Sequence, residues 1–276
     1  MKDVLERARR GGLGSLAESN DSSATPVWVM WWQGVDQAPE IVRTCIDSIV
    51  KNMVGHQVHL LDSSNYQDFV IIDSELVSKY EAGTIGRAHF SDIVRVSLLR
   101  QHGGIWIDAT MLVTRPLELE AGASGFVSRK TSPAPDGRYV SDQRWALYFL
   151  GGPRTLQVWD FLDAFLAAYW KRHSRVVDYF LTDHALDIAY RHDLCGFRAQ
   201  SESLAPSQPD LHLPSTLLRD GIADVEPTLR SSTTSLFKLS WRLERDLGPE
   251  RYRALLLQMR NVLDDPGTDY SGTTTA

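Results

Sequence analysis

The chain has 276 residues, 29 basic and 35 acidic, for a formal net charge of −6, so it can bury a full core and carries no overall basic footprint for nucleic acid. Hydrophobic residues make up 43% and charged residues 23%, ordinary for a globular protein, and no apolar run approaches the roughly 20 residues that cross a bilayer. The first twenty residues lack the apolar centre of a secretory signal, and Cys45 and Cys195 are too few and too far apart in sequence for a disulfide framework; both read as core thiols in a cytoplasmic protein.

Residues 1–24 read as a flexible segment with a short basic helix carrying Lys2, Arg7, Arg9 and Arg10, followed by Gly- and Ser-rich linker. A solvated helix is the commoner meaning of such a charge run, and peripheral contact with an anionic membrane face is the most that it suggests. Order is expected from Pro26, with Val27–Trp32 as a first strand and Gln33-Gly34 as a turn. Pro39 opens a helix whose apolar face is Ile41, Val42, Cys45, Ile46, Ile49, Val50 and Met53, and Gln57–Leu61 forms the second strand.

The most chemically informative stretch follows. Phe90, Ile93, Val94 and Leu98 recur at helical spacing, so Asp92 and Arg95 project from neighbouring turns of one helix. Gly103 is expected to cap that helix in the left-handed conformation, Ile105–Ile107 to form a short buried strand, and Asp108 to stand where the strand ends. Carboxyl ends of strands are where ligands bind in α/β sheets.

Beyond Pro116 the chain reads as turns around Phe126-Val127-Ser128, then a strand within Trp145–Leu150, helices over Thr155–Trp170 and Tyr179–Tyr190, a polar run before Leu236–Trp241, and a closing helix over Arg251–Leu263. Without internal repeats or a long linker, one domain over residues 25–264 is expected, with residues 265–276 a disordered tail. The fold class is α/β: a mixed, mostly parallel sheet wrapped by helices, with a helical excursion in the C-terminal half.

Ser91-Asp92-x-x-Arg95, Gly103-Gly104-x-Trp106-x-Asp108 and Thr114-x-Pro116 together resemble the bacterial capsular polysaccharide synthesis family of glycosyltransferases. Trp31-Trp32-Gln33-Gly34, Asp178-Tyr179-Phe180-Leu181 and Lys238-Leu239-Ser240-Trp241 extend the likeness over most of residues 26–245. The resemblance, shared more distantly with yeast initiating mannosyltransferases and clostridial glucosylating toxins, implies a GT-A fold with Rossmann-like character. It also implies retaining transfer of a hexose from a nucleoside diphosphate sugar, most simply a UDP-sugar, to a hydroxyl of a bacterial surface glycan precursor, at most peripherally at the inner face of the membrane. On that reading Asp92 and Arg95 contact sugar and ribose hydroxyls and Asp108 is catalytic. Trp31 or Trp32 stacks on the base, one of the two facing the core if a strand alternates through them, and Lys238, Ser240 and Trp241 meet the diphosphate.

Asp108-Ala109-Thr110 departs from the Asp-x-Asp pattern of many GT-A enzymes, so a Mn²⁺ or Mg²⁺ ion on Asp108 depends on donor phosphates for further ligands. Three bland readings stand beside these: a helix-surface ion pair for Asp92 and Arg95, a strand-end turn for Asp108, and an edge strand with polar flanks for Lys238–Trp241. Asp183 and His184 fit a metal or acceptor contact and fit a helix-surface pair equally. Two rival functions remain, a catalytically silent nucleotide-sugar binding protein and a haloacid-dehalogenase-like phosphatase using Asp108 as its nucleophile.

Overall fold

The computed structural model describes residues 25–117, 125–131, 139–206 and 208–265, and the expectations for residues 1–24 and 266–276 lie outside them. These residues fall into two compact units, each discontinuous in sequence. The first holds described residues of 25–36, 55–108 and 125–208, the second those of 37–54, 109–117 and 209–265.

In the first unit β1 (Pro26–Met30), β2 (Gln57–Leu61), β3 (Gly104–Ile107), β5 (Val127–Ser128) and β6 (Phe149–Gly152) form one sheet in the order β2-β1-β3-β6-β5. β1 pairs parallel with β2 and β3, and β6 pairs antiparallel with β3 and β5. Four strands therefore point one way and β6 alone is reversed, which is the mixed, mostly parallel α/β sheet expected. Strand β3 is central, and its register sets Val27 against Ile105 on one side and Ile107 against Phe149 on the other. The connection from β2 past β1 to β3, three strands that run parallel, carries α2 (Ser74–Glu81) and α3 (Arg87–His102). α3 packs on α4 (Gln157–Arg172), which packs on α5 (Leu181–Arg191), with α6 (Phe197–Glu202) beyond it.

The helix-on-sheet interior is built from Trp28, Met30, Trp106 and Leu150 of the strands with Phe90, Val94 and Leu98 of α3 and Trp159, Phe161 and Leu162 of α4, all buried. Between α3 and α4 the polar clasps are Ser97 Oγ to Asp163 at 2.7 Å and Arg100 to Asp160 at 2.9 Å.

Two strand boundaries differ from expectation for a local reason. β1 stops at Met30, because Gly34 N–H donates to the Trp31 carbonyl at 2.9 Å and Gly34 takes φ +81°, so residues 31–34 turn rather than extend. The strand expected within Trp145–Leu150 starts only at Phe149: Asp142 and Gln143 have positive φ, and Phe149 N–H donates back to Ala146 in a tight reversal. Gly103 does end α3 as expected, but at φ 68° and ψ −151°, a glycine region outside the left-handed helix. A Cβ on Gly104 would lie 2.3 Å from the Pro26 carbonyl, so this glycine lets β3 approach β1 closely.

The second unit is built on α1 (Glu40–Asn52) and the two-stranded antiparallel pair β4 (Met111–Val113) and β7 (Leu236–Lys238), with α7 (Leu213–Arg219), α8 (Glu226–Ser231), α9 (Leu243–Leu247) and α10 (Pro249–Asp264). Polar ties hold α1 to β4, Ser48 Oγ accepting from Val113 N–H at 3.0 Å and Asn52 Nδ2 donating to the Val113 carbonyl at 2.8 Å. Tyr252 of α10 accepts from the Ile41 N–H in the first turn of α1, satisfying one of the donors a helix start leaves open. Cys45 is fully buried on α1, and burial pushes its thiol up to about 12; Cys195, half-buried in the first unit, is not the core thiol expected.

Candidate functional site

The parallel strands β1, β2 and β3 deliver Trp31, Asp62 and Asp108 to one edge of the sheet, their common carboxyl edge. Asp108 is the first residue beyond β3, pinned by its N–H to the Tyr148 carbonyl at 2.9 Å. Its Oδ1 accepts from Trp106 Nε1 at 2.8 Å and from Arg95 at 3.2 Å. The other arm of the Arg95 guanidinium donates to Asp92 Oδ1 at 2.7 Å, and the plane lies 4.8 Å from the centre of the Trp106 ring. Asp92 Oδ2 accepts from Thr182 Oγ1 of α5 at 3.1 Å.

The structure thus brings Asp92, Arg95 and Asp108 together, and the ion pair is not on the helix surface. Side-chain exposure is 8% for Arg95, 15% for Asp92 and 27% for Asp108, so solvent reaches the cluster from the Asp108 side. Both terminal nitrogens of Arg95 are committed to carboxylates and its Nε is buried with no partner, which leaves the guanidinium as the brace of the two acids. Two of the five guanidinium N–H groups make these bonds, one to each acid.

A third carboxylate joins them. Asp183, in the first turn of α5, is buried and accepts from Trp145 Nε1 at 2.9 Å. Burial pushes its pKa up to about 7, reinforced by the negative charge of Asp92 and opposed by Trp145 and Arg95. Burial likewise raises Asp92 despite Arg95, and raises the Tyr148 hydroxyl with help from Asp108. Burial in this partly dry site, beside the charge of Asp92, thus holds a proton on Asp183 up to about pH 7.

Linkage gives this a testable sign. Asp183 binds its proton more tightly folded than unfolded, so its contribution to stability falls as pH rises from about 4 to about 7. Asp183→Asn, which keeps an oxygen for Trp145, should therefore match the parent in thermal melts at pH 4 and exceed it at pH 8. Equal melting temperatures at pH 8 would mean that Asp183 ionises freely in the folded protein.

The remaining sequence candidates separate. Trp32 is braced by Tyr66, Tyr80 and Phe90, with ring centroids 5.1 to 5.7 Å away, and Trp31 has a buried Nε1 without a partner. Both lie in the turn after β1, so strand alternation does not assign them to opposite faces. Asp183 and His184 also part company: His184 is half-exposed and stands 3.7 Å from Asp178, a helix-surface pair.

In the second unit Lys238 ends β7 and its ammonium donates to Thr110 Oγ1, Ser240 Oγ accepts from Arg242 N–H at 3.2 Å as a turn former, and Trp241 is half-exposed beside Arg242. Half-buried His212 is pushed down to about 4, by desolvation first and by the Lys238 charge second. A groove of about 440 Å³ in this unit, lined by Glu40, Arg43, Asp47, Lys51, Arg260 and Leu263, contains none of the sequence candidates.

Sequence reasoning offered Asp183 together with His184 as a metal or acceptor contact, not as a partner of Asp92 and Arg95, and did not single out Thr182 or Trp145. The available signal was Asp183 itself, a carboxylate falling on the buried stripe of α5 with Leu186 and Asp187.

Among the described residues no group of three or more His, Cys, Asp or Glu is placed to hold a metal ion. The side-chain oxygens that a divalent ion would use reduce to Asp108, so such an ion fits only in company with ligands brought by a bound molecule. Among the described residues no helix is long and apolar enough to cross a membrane.

Compared with known protein families, residues 14–252 match the family described as capsular polysaccharide synthesis protein. No curated protein matches the chain.

Proposed function

The chain belongs to the capsular polysaccharide synthesis protein family, and from that premise we propose that it is a retaining glycosyltransferase moving a hexose from a nucleoside diphosphate sugar, a UDP-sugar first, to a hydroxyl of a surface-glycan precursor. The observation that carries the proposal is Asp108 at the carboxyl end of the central strand, oriented by Trp106 and Arg95 beside Asp92. A GT-A assignment is part of the same proposal, supported by the mixed sheet with its carboxylate at the strand end.

In the proposed reaction the bond from the anomeric carbon to the diphosphate oxygen breaks, the acceptor oxygen bonds to that carbon on the same face, and the acceptor proton leaves with the diphosphate. Asp92 and Asp108 accept hydroxyl hydrogen bonds from the donor sugar and fix its orientation. Arg95 is a positioning residue: it braces both acids, and its charge opposes the burial that raises Asp92. Asp108 is also the residue to hold a Mn²⁺ or Mg²⁺ ion shared with the diphosphate, and that ion would supply charge stabilisation of the leaving group. Trp32 offers a preset ring for the nucleobase, with Trp31 as the alternative. Roles of Lys238, Ser240 and Trp241 toward the diphosphate rest on the family likeness and are tested by their alanine variants.

Calorimetry with UDP, Mn²⁺ and both together, followed by UDP release from a panel of UDP-hexoses, tests the reading. Mn²⁺ alone should give no binding heat, UDP should bind, and Mn²⁺ should tighten UDP, because one carboxylate cannot hold the ion unaided. Hydrolysis of one UDP-hexose with loss in EDTA is expected. Absence of UDP binding refutes the donor assignment, and binding without turnover favours the silent nucleotide-sugar binding protein.

A further inference from the structure

The carboxyl edge of the sheet carries a cation that the proposed donor chemistry leaves unused. β3 and β5 both pair antiparallel with β6, so β5 ends at the edge where β3 ends, and the register sets Ser128 level with Leu150 and Trp106. Arg129 follows β5 directly, as Asp108 follows β3. The two leave the same edge two strand spacings apart, about 10 Å. The chain after β5 is held in place: Lys130 Nζ donates to the Glu202 and Leu204 carbonyls at 3.0 and 3.2 Å, and the Lys130 carbonyl accepts from Gln208 N–H at 2.9 Å.

Arg129 is half-buried, and its guanidinium lies 4.4 Å from the centre of the Phe149 ring, so the side chain leans over β6 in the direction of β3. Phe149 and Leu150 alternate along β6, which puts the guanidinium on the face opposite the one that Leu150 and Trp106 turn to the helices. What it lacks is an acid. One arm donates to the Ser128 carbonyl at 3.2 Å, Nε is buried without a partner, and among the described residues no carboxylate pairs with it. Arg95, Arg100 and Arg144 of the same unit each hold an aspartate, whereas Arg129 is lowered in pKa by desolvation with no charge set against it. A guanidinium drawn partly out of water costs free energy that a facing oxyanion offsets, and its planar fork matches a carboxylate or phosphate two bonds at a time.

We propose that Arg129 anchors an oxyanion subsite at the carboxyl edge of the sheet and takes a carboxylate or phosphate borne by the acceptor. Its assignment to the acceptor rests on the glycosyltransferase reading. Along the edge the tryptophans offered to the base follow β1, Asp108 follows β3, and Arg129 follows β5 on the far side of Asp108 from the base. Binding of the oxyanion itself does not depend on that reading. An acceptor so anchored keeps its negative group apart from the charges of Asp92 and Asp108, with β6 between, and leaves its hydroxyls to approach them.

Saturation-transfer NMR on the intact chain with methyl β-glucopyranoside, its 6-phosphate and methyl β-glucuronide tests it. At least one anionic glycoside should bind about tenfold or more tightly than the neutral one, and the tighter of the two names the group. Arg129→Met should abolish that preference, and Arg129→Lys, which keeps the charge without the fork, should retain part of it. Thermal melts establish folding, and Arg129→Met should melt within a few degrees of the parent, because it removes a charge that no acid balances. No preference for either anion in the parent, or the same preference in Arg129→Met, overturns the subsite. The titrations are repeated with saturating UDP, under which the preference should persist; displacement by UDP gives Arg129 to the donor diphosphate and overturns the acceptor assignment. Absence of UDP binding refutes the donor reading alone and leaves the oxyanion subsite to be judged by the glycosides.

Discussion

Replacing Asp108 by asparagine is expected to reduce UDP release from the preferred UDP-hexose by roughly 10²–10³-fold while leaving the protein folded. The geometry explains both halves. An asparagine Oδ1 can still accept from Trp106 Nε1 and from Arg95, which both donate to Asp108 now, so the strand end keeps its orientation. What disappears is the negative charge at the most solvent-exposed end of the cluster, where a hydroxyl or a shared divalent ion approaches from outside. Circular dichroism and a thermal melt establish folding, and UDP binding separates loss of chemistry from loss of the donor. A variant that turns over within a few-fold of the parent would remove Asp108 from the reaction and return it to the role of a strand-end anchor.

How much of this could be read beforehand depended on whether the signal was local. The apolar stripes of α1, α3 and α4 are local, and each helix formed within a few residues of its expected span. The strand β3 and the carboxylate after it were also legible, because two glycines, three large apolar residues and an Asp are a short punctuated pattern. The ends of β1 and β6 were not, since both are decided by backbone turns at Gly34 and at Ala146–Phe149 that apolar content does not reveal. In the cluster, i, i+3 spacing brought Asp92 and Arg95 together on paper, but not the depth at which they sit. Burial of α3 between the sheet and α4 converts a surface pair worth little into a dry brace, and the docking of α5 adds Thr182 and Asp183 from 90 residues away in sequence. No pairwise pattern in the chain announces that. Residue types were legible; the shared environment that couples their charges was not.

That coupling makes Arg95 the position whose loss reaches furthest. Arg95→Met, which keeps most of the side-chain volume, is expected to cost roughly 3–5 kcal/mol of stability, because it strands Asp92 and Asp108 without their common counter-ion in a site that is largely closed to water. The loss should shrink as pH falls, since protonated carboxylates no longer need the guanidinium; urea melts at pH 7.5 and pH 4.5 measure the difference. Arg95→Lys should fall between, one ammonium being unable to span both acids as the two guanidinium arms do. The decisive variant is the triple change Arg95→Met, Asp92→Asn and Asp108→Asn. If Arg95 acts by bracing the acids, neutralising all three should recover a large share of the stability lost by Arg95→Met, as buried ion pairs often allow, while activity stays absent. If the triple variant is no more stable than Arg95→Met, the guanidinium holds the fold through its place over the Trp106 ring, and its partnership with the carboxylates is incidental.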